Sequence, residues 1–284
     1  MIDPGGRVVA CTAVEYAVET PRPDWAEQHP QTWVQAAVQA IRDALAAARV
    51  PGAAIAGIGL AGQMHGMVCL DARGQVLRPA IIWADQRSRV QVARLHRDPG
   101  AAQLGLWTGN PVAAGFMLPS WLWLCEEEPE TARAVAQLLL PKDYLRYVLL
   151  GSIGTEPSDA SSTLLFDARH GRWSRPLIEA LEIDPALLPP VSDSLAVAGG
   201  LRPEIAEATG LQPDTPVVFG GSDQACQALG HGVAEPGLVS LTIGTGGQLF
   251  APTCAPVYDP ELRLHLFCHR SEEHTSELQS PNTI

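Results

Sequence analysis

The stretch GGSDQACQALG, residues 220–230, follows the apolar run PVVF at 216–219 and sets an acidic side chain, Asp223, at the junction of the two. The apolar run reads as a buried strand and residues 224–229 as the helix after it. A carboxylate placed there can serve two ends. Asp accepts a hydrogen bond from a backbone amide at a helix start, so Asp223 can be an N-cap. In an open α/β fold the crevice beyond the carboxyl ends of the strands is also where ligands bind, which puts the same carboxylate within reach of a substrate. The stretch by itself favours the cap, and the rest of the chain has to weigh in.

The chain has 284 residues, enough for two domains or one large one, and a hydrophobic content of 46% supports a core. Its 19 Lys and Arg against 31 Asp and Glu give a formal charge of -12 without any basic run, which argues against a nucleic-acid partner. No stretch reaches the roughly 20 uninterrupted apolar residues of a membrane span. The opening MIDPGGRVVA lacks the charged start and apolar run of a signal peptide. A cytoplasmic protein without membrane contact is expected. The six cysteines, Cys11, Cys69, Cys125, Cys226, Cys254 and Cys268, show no C-x-x-C spacing. Neither a zinc site nor a redox pair is expected of them, and most read as small buried hydrophobes.

Outward from the opening stretch, RVVACTAVEYAV at 7–18 is rich in β-branched residues and reads as a strand. Val34, Ala37, Val38, Ile41, Leu45 and Ala48 recur at helical spacing and end at Pro51-Gly52. AIAGIGLAG at 54–62 is apolar on both faces and suits the centre of a sheet covered by helices. MVCLD and QVLRPAIIW add strands on either side of a turn at Ala72-Arg73-Gly74. Helices are predicted over 87–96, within WLWLCEEEPETARAVAQLLL with a join near Pro129, and over LPKDYLRYVLLG, closed by Gly151. Residues 163–167 read as a short strand, 176–181 and 203–209 as helices. GLVSLTIGTGGQLFAP reads as a hairpin turning at Gly244-Thr245-Gly246-Gly247. The order is mixed α/β.

Three further motifs can carry chemistry. GQMHG, 62–66, lies between two predicted strands; its glycines let a ligand approach closely, and His65 can face a cleft, although a lone His is as a rule structural. IIWADQRS, 81–88, ends a strand with Trp83, Asp85, Gln86 and Arg87, a set able to stack on and hydrogen-bond a polyol. The plainer reading is a Ser88 N-cap with Asp85 and Arg87 paired at the surface. IGTGG, 243–247, exposes the amides of Gly244 and Gly246 beside the Thr245 hydroxyl, a concave array of the kind that binds phosphate oxygens; a plain hairpin turn explains it equally well. It has neither the ending of a Walker A loop nor GxGxxG spacing.

In order along the chain, GQMHG, WADQRS, LPKDYLRYVLLG with SDASSTLLFD, GGSDQACQALG and SLTIGTGGQLFA resemble the successive motifs of the FGGY carbohydrate kinases, most closely the xylulokinases among them, over residues 3–269. GQMHG, LPKDYLR and SDAS are the specific part. The resemblance implies a ribonuclease-H-like, actin-like ATPase fold with the active site in the cleft between two domains. Residues 1–222 would be the sugar-binding N-terminal domain, and 223–269 the start of the ATP-binding C-terminal domain.

It also implies in-line transfer of the γ-phosphate of ATP to a hydroxyl of D-xylulose, giving D-xylulose 5-phosphate, with Mg2+ bridging the phosphates and a closing cleft excluding water. Asp223 then matches the carboxylate that takes the proton of the sugar hydroxyl, a role compatible with capping. Gln63, Met64, His65, Trp83, Asp85, Asp223 and Gln224 fall at sugar-contacting positions, and Gly244, Thr245 and Gly246 in a loop that holds ATP phosphates. Ala84 and Gln86 stand where the family carries Asn and Gly. No residue is assigned as a metal ligand. The sugar and ATP are the implied partners, and the resemblance is compatible with a homodimer of the intact protein.

The family's first phosphate loop, D-x-G-T-x-S, has no counterpart; Asp3-Pro4-Gly5-Gly6 reads as a turn that follows it. RSEEHTSELQS resembles the conceptual translation of a sequencing-library adapter, so residues 270–284 are expected to be a non-native tail with no reason to fold. A fragment that keeps the sugar site and the base but binds ATP poorly is the expectation. The rival readings are a kinase for ribulose, glycerol or gluconate, a non-catalytic sugar-binding remnant, and an ATPase of the actin or heat-shock type.

Overall fold

The helix Pro30–Ala48 forms where the periodicity places it. His29 accepts from the Gln31 amide at its start, Pro30 occupies the first turn, and Arg49 in the left-handed region ends it. Trp33 and Val34 on its inner face join Val68, Leu70, Ile82 and Leu139 in one apolar cluster. Ile41 and Leu45 lie against Leu149, Leu201, Ala206 and Val217 in another. The computed structural model describes residues 1–243, 247–269 and 277–279. Its largest cluster surrounds the helix Met117–Glu127, with Met67, Ile81, Leu118, Leu124 and Phe267 sealed from solvent. The helices Arg89–Leu95, Pro129–Ala134, Pro141–Leu150, Arg175–Ala180, Pro203–Thr209 and Asp223–Gly230 follow the predicted positions. Among the described residues no helix is long and apolar enough to cross a membrane.

Strands are short and pair two at a time. Val68–Leu70 runs antiparallel to Gln137–Leu139, and Glu27–Gln28 to Ala80–Ile81. Ser240–Ile243 and Gly247–Phe250 form the predicted hairpin, with the turn residues Gly244, Thr245 and Gly246 outside the described residues. The pairing that positions the site is parallel: Gly221–Ser222 lies beside Ala61–Gly62 in the register Gly221 to Ala61 and Ser222 to Gly62, with Ile58 bridged to Val217 below it. GQMHG and GGSDQ therefore leave the carboxyl ends of two adjacent strands side by side, the place where open α/β folds bind ligands.

Several predicted elements differ. Residues 7–18 make no ladder; one isolated bridge, Ile2–Val8, falls at the start of the segment and another, Glu19–Glu27, just after it, and Thr12 donates to the Ala40 carbonyl at 2.9 Å. A β-branched composition expresses fitness for a half-buried pleat, and no neighbouring strand offers this largely exposed segment one among the described residues. AIAGIGLAG is not the covered centre of a sheet: Ile55, Ile58 and Leu60 turn toward the Leu149–Val217 cluster, while Ala54, Gly57, Gly59 and Ala61 are exposed. Small residues present too little apolar area to draw a second layer onto that face. Residues 137–139 form a strand rather than continuing a helix, since the three-residue apolar run Leu138-Leu139-Leu140 carries no period that tells the two apart. Of 163–167 only Phe166–Asp167 is a strand, after a 3-10 turn at Ser161–Thr163. Glu277–Gln279 pairs with His265–Phe267, because main-chain hydrogen bonding to a strand edge requires no apolar pattern. Only Cys69 and Cys268 are buried among the six free cysteines; burial pushes both thiols up to about 12.

Candidate active site

The parallel strand pair delivers Gln63 and Asp223 to one cavity of about 450 Å3, shared with Tyr16, Gln28, Trp33, Trp83 and Lys142. Gly220 makes this approach feasible. It adopts φ +85°, and a Cβ there would sit 2.1 Å from the Leu60 carbonyl oxygen of the adjacent strand. Gly220→Ala is accordingly expected to cost about 1–3 kcal/mol of stability in chemical denaturation, from left-handed strain and the clash together. Full stability in that variant would show that the two loops are not held at this spacing.

Asp223 is the first residue of its helix and not the cap. Ser222 caps it, its Oγ accepting from the Ala225 amide at 3.4 Å, while Asp223 Oδ1 accepts from the Gln224 amide at 2.8 Å. Burial pushes the Asp223 carboxyl up to about 6, with the Gln224 amide opposing the shift. Gln63 is aimed by its own bond: Nε2 donates to Gln28 Oε1 at 2.9 Å, and the same oxygen accepts from Trp33 Nε1 at 3.0 Å. That leaves the Gln63 carbonyl oxygen to accept from a ligand hydroxyl. Trp83, 58% exposed, offers an indole face at the rim.

Behind Asp223 lies a sealed ionic network. Lys142 Nζ is 2.8 Å from Asp143 Oδ1, 3.6 Å from Glu156 Oε1, 3.6 Å from Asp159 Oδ2 and donates to the Phe219 carbonyl at 3.3 Å. Arg146 reaches Asp143 Oδ1 at 2.9 Å, donates to the Gly154 carbonyl and lies over the Phe219 ring. Glu156 accepts from Ser158 Oγ at 2.8 Å, and that hydroxyl in turn accepts from the Ser222 amide at 3.0 Å. The network thus grips the chain on both sides of Gly220. Burial opposes the Lys142 charge, yet Asp143, Glu156 and Asp159 outweigh it and raise its pKa, so it remains an ammonium. Burial, with Asp143, Glu156 and Asp223 nearby, holds the Asp159 carboxyl well above the usual range despite Lys142.

The remaining candidates lie elsewhere. Met64 is buried in the main core, and neither it nor His65 lines the cavity. His65, at φ +71°, donates its amide to Ser162 Oγ at 3.1 Å and sets Nδ1 2.8 Å from the Ser162 carbonyl, with its ring against Phe116. Burial pushes its pKa down to about 4, which keeps it neutral. Asp85 is wholly buried: Oδ2 accepts from the Ala26 amide at 2.6 Å and from Arg87 Nη2 at 2.7 Å. Arg87 continues to Glu27 at 2.7 Å and stacks over Trp25. The Asp85–Arg87 pair therefore belongs to the core and not to the surface, and Ser88 stands at the N-cap position without making a capping bond. Gln224 is half-buried and does not line the cavity.

Gln28, Trp33 and Lys142 were not singled out from sequence. Lys142 carried a signal, since Lys142 and Arg146 recur four apart within LPKDYLR; Gln28, in a stretch that reads as a loop, carried none. Among the described residues no three His, Cys, Asp or Glu side chains gather to hold a metal ion.

Comparison with known proteins supplies the family. Residues 1–230 match the N-terminal domain of the FGGY family of carbohydrate kinases. The chain is 37% identical over 273 residues to a xylulose kinase of Bacillus subtilis and 36% identical over 272 residues to one of Escherichia coli. These matches cover 96% and 95% of this chain and 54% of each relative, so the chain spans about half the length of the curated relatives it matches. Among solved structures it is similar to a xyloylose kinase from Brucella ovis, with TM-score 0.91 and 36% identity over 98% of this chain and 57% of that one. It shares its fold with a glycerol kinase from Plasmodium falciparum, with TM-score 0.88 and 18% identity over 98% of this chain and 57% of that one. The predicted ribonuclease-H-like, actin-like ATPase fold is that of these sugar kinases.

Proposed function

The chain belongs to the FGGY family of carbohydrate kinases, and from that premise we propose that it carries the sugar site and general base of a kinase that phosphorylates D-xylulose to D-xylulose 5-phosphate. The observation that carries the reading is the meeting of Asp223 and Gln63 in one cavity beneath an exposed indole. A ketose in the cavity would lay its carbon chain against Trp83 and donate a hydroxyl to the Gln63 carbonyl oxygen. Its reacting hydroxyl would donate to Asp223, which takes the proton as the oxygen attacks phosphorus. A carboxyl near 6 is ionised at neutral pH yet holds a proton far better than an exposed one, as general-base action requires.

ATP would supply the phosphoryl group, with its phosphates assigned to Gly244, Thr245 and Gly246, which lie outside the described residues. A magnesium ion bridging those phosphates would be held chiefly by the nucleotide, since among the described residues no three His, Cys, Asp or Glu side chains gather to hold one.

Calorimetric titration of the chain with D-xylulose, ribulose, glycerol and gluconate tests the assignment. D-xylulose is expected to bind most tightly, and Gln63→Ala to weaken it about tenfold, the loss of one hydrogen bond of about 1.4 kcal/mol. Absence of heat with any of these sugars, or ATP hydrolysis indifferent to them, would overturn the reading.

A further inference from the structure

A second cavity, of about 640 Å3, shares no residue with the first and lies at the hairpin of Phe166–Asp167 and Arg172–Trp173. Its volume suits a small molecule. Arg169, Arg172 and Arg175 line it together with Trp107, Trp173 and Ser174. The two carboxylates among its walls are already engaged. Asp167 is 3.4 Å from Arg169 and 2.6 Å from His170 Nδ1, and Glu179 is 2.6 Å from Arg175 Nε. The Arg172 side chain is exposed and has no hydrogen bond or ion pair among the described residues. Three guanidinium groups thus face two carboxylates, a local positive surplus on a chain whose formal charge is -12.

Two features mark the cavity as more than a basic patch. The Trp173 ring is held rigidly, its indole N–H donating to the Pro189 carbonyl at 2.9 Å and its ring meeting Phe166 edge-on at 5.4 Å. Ser174 is among the residues that line the cavity and is 2% exposed, and its hydroxyl is buried without a hydrogen-bond partner. A buried hydroxyl without a partner costs free energy that a bound polar group would recover.

We propose that this cavity binds a small phosphate monoester, with its phosphate between Arg172, Arg175 and the Ser174 hydroxyl and its organic part on the indoles of Trp107 and Trp173. A guanidinium satisfies two oxygens of one planar face, so one Arg would suffice for a carboxylate. Two guanidinium groups and a hydroxyl match the three free oxygens of a phosphate monoester.

Calorimetry on the full chain with ribose 5-phosphate, adenosine 5′-monophosphate, inorganic phosphate and ribose tests this. At least one ester is expected to bind with a Kd of about 1 mM or tighter, more tightly than inorganic phosphate, while ribose gives no heat at this site. Whichever ester binds better tells a sugar phosphate from a nucleotide as the ligand. Arg172→Gln is expected to weaken the ester at least roughly tenfold, one charge-assisted contact, with an unchanged melting temperature. No binding of either ester at about 10 mM, equal binding of inorganic phosphate, or ester binding indifferent to Arg172→Gln would each overturn the proposal.

Discussion

Lys142→Met is expected to lower the stability of the chain by about 3–5 kcal/mol and its melting temperature by roughly 10 °C. Lys142 and the three carboxylates around it are without solvent exposure. Met fills nearly the same volume, so the loss would not come from a cavity. It would come from Asp143 and Glu156, left buried with Arg146 as the remaining cation, and among the described residues Arg146 touches only Asp143 at ion-pair distance. A buried pair need not stabilise relative to an apolar substitute, but removing one partner strands the other's charge. Pairing the substitution with Glu156→Gln, which neutralises the carboxylate whose cation was Lys142 and leaves the Asp143–Arg146 pair intact, should therefore return much of the loss. An unchanged melting point in Lys142→Met would mean that water reaches these carboxylates. The same variant leaves the Phe219 carbonyl, adjacent to Gly220, held by Arg146 Nη1 alone at 3.4 Å, so weaker sugar binding is expected to accompany the loss.

What the sequence disclosed followed the range of the forces involved. Pro30–Ala48 was legible because its apolar residues recur at a local period, and Gly151 because a helix end needs a left-handed residue. The strands were harder, since the register of Ala61 with Gly221 depends on segments far apart in the chain. Asp223 was legible as a carboxylate at a strand end. Which neighbours share its cavity was not, because successive residues of an extended segment face opposite ways. Gln63 faces the cavity while Met64 enters the core; Trp83 and Asp85 part because the chain turns there, the Asp85 amide donating to the Ile82 carbonyl at 2.9 Å, so that Asp85 faces inward to Ala26 and Arg87 while Trp83 stays at the rim. The Lys142 network was illegible as a unit, being assembled from residues 142–146, 156–159 and 219.

Asp223→Asn is expected to make the chain more stable at pH 8, by up to about 3 kcal/mol, and to leave it nearly unchanged below pH 4. The folded carboxyl titrates at about 6 and the ordinary one at 3.8, the difference arising from burial. As pH rises from about 4 the unfolded chain sheds this proton first, and folding becomes less favourable until the folded carboxyl also ionises near 6. Above that the penalty stays constant. Asn carries no charge to bury and keeps an oxygen for the Gln224 amide, so its stability lacks this slope while the helix start is preserved. Melting curves of both proteins from pH 3.5 to 8 would check it. A gap that opens between about pH 4 and 6 meets the expectation, whereas a constant gap, or a less stable variant at pH 8, would mean that the carboxylate is solvated as in an open loop. Phosphoryl transfer by a kinase carrying the substitution should fall by about 10²–10⁴-fold, since Asn cannot take the hydroxyl proton. Stability and activity would then move in opposite directions from one cause: the burial that disfavours the charge on Asp223 also raises its affinity for the proton that the proposed base role has it accept.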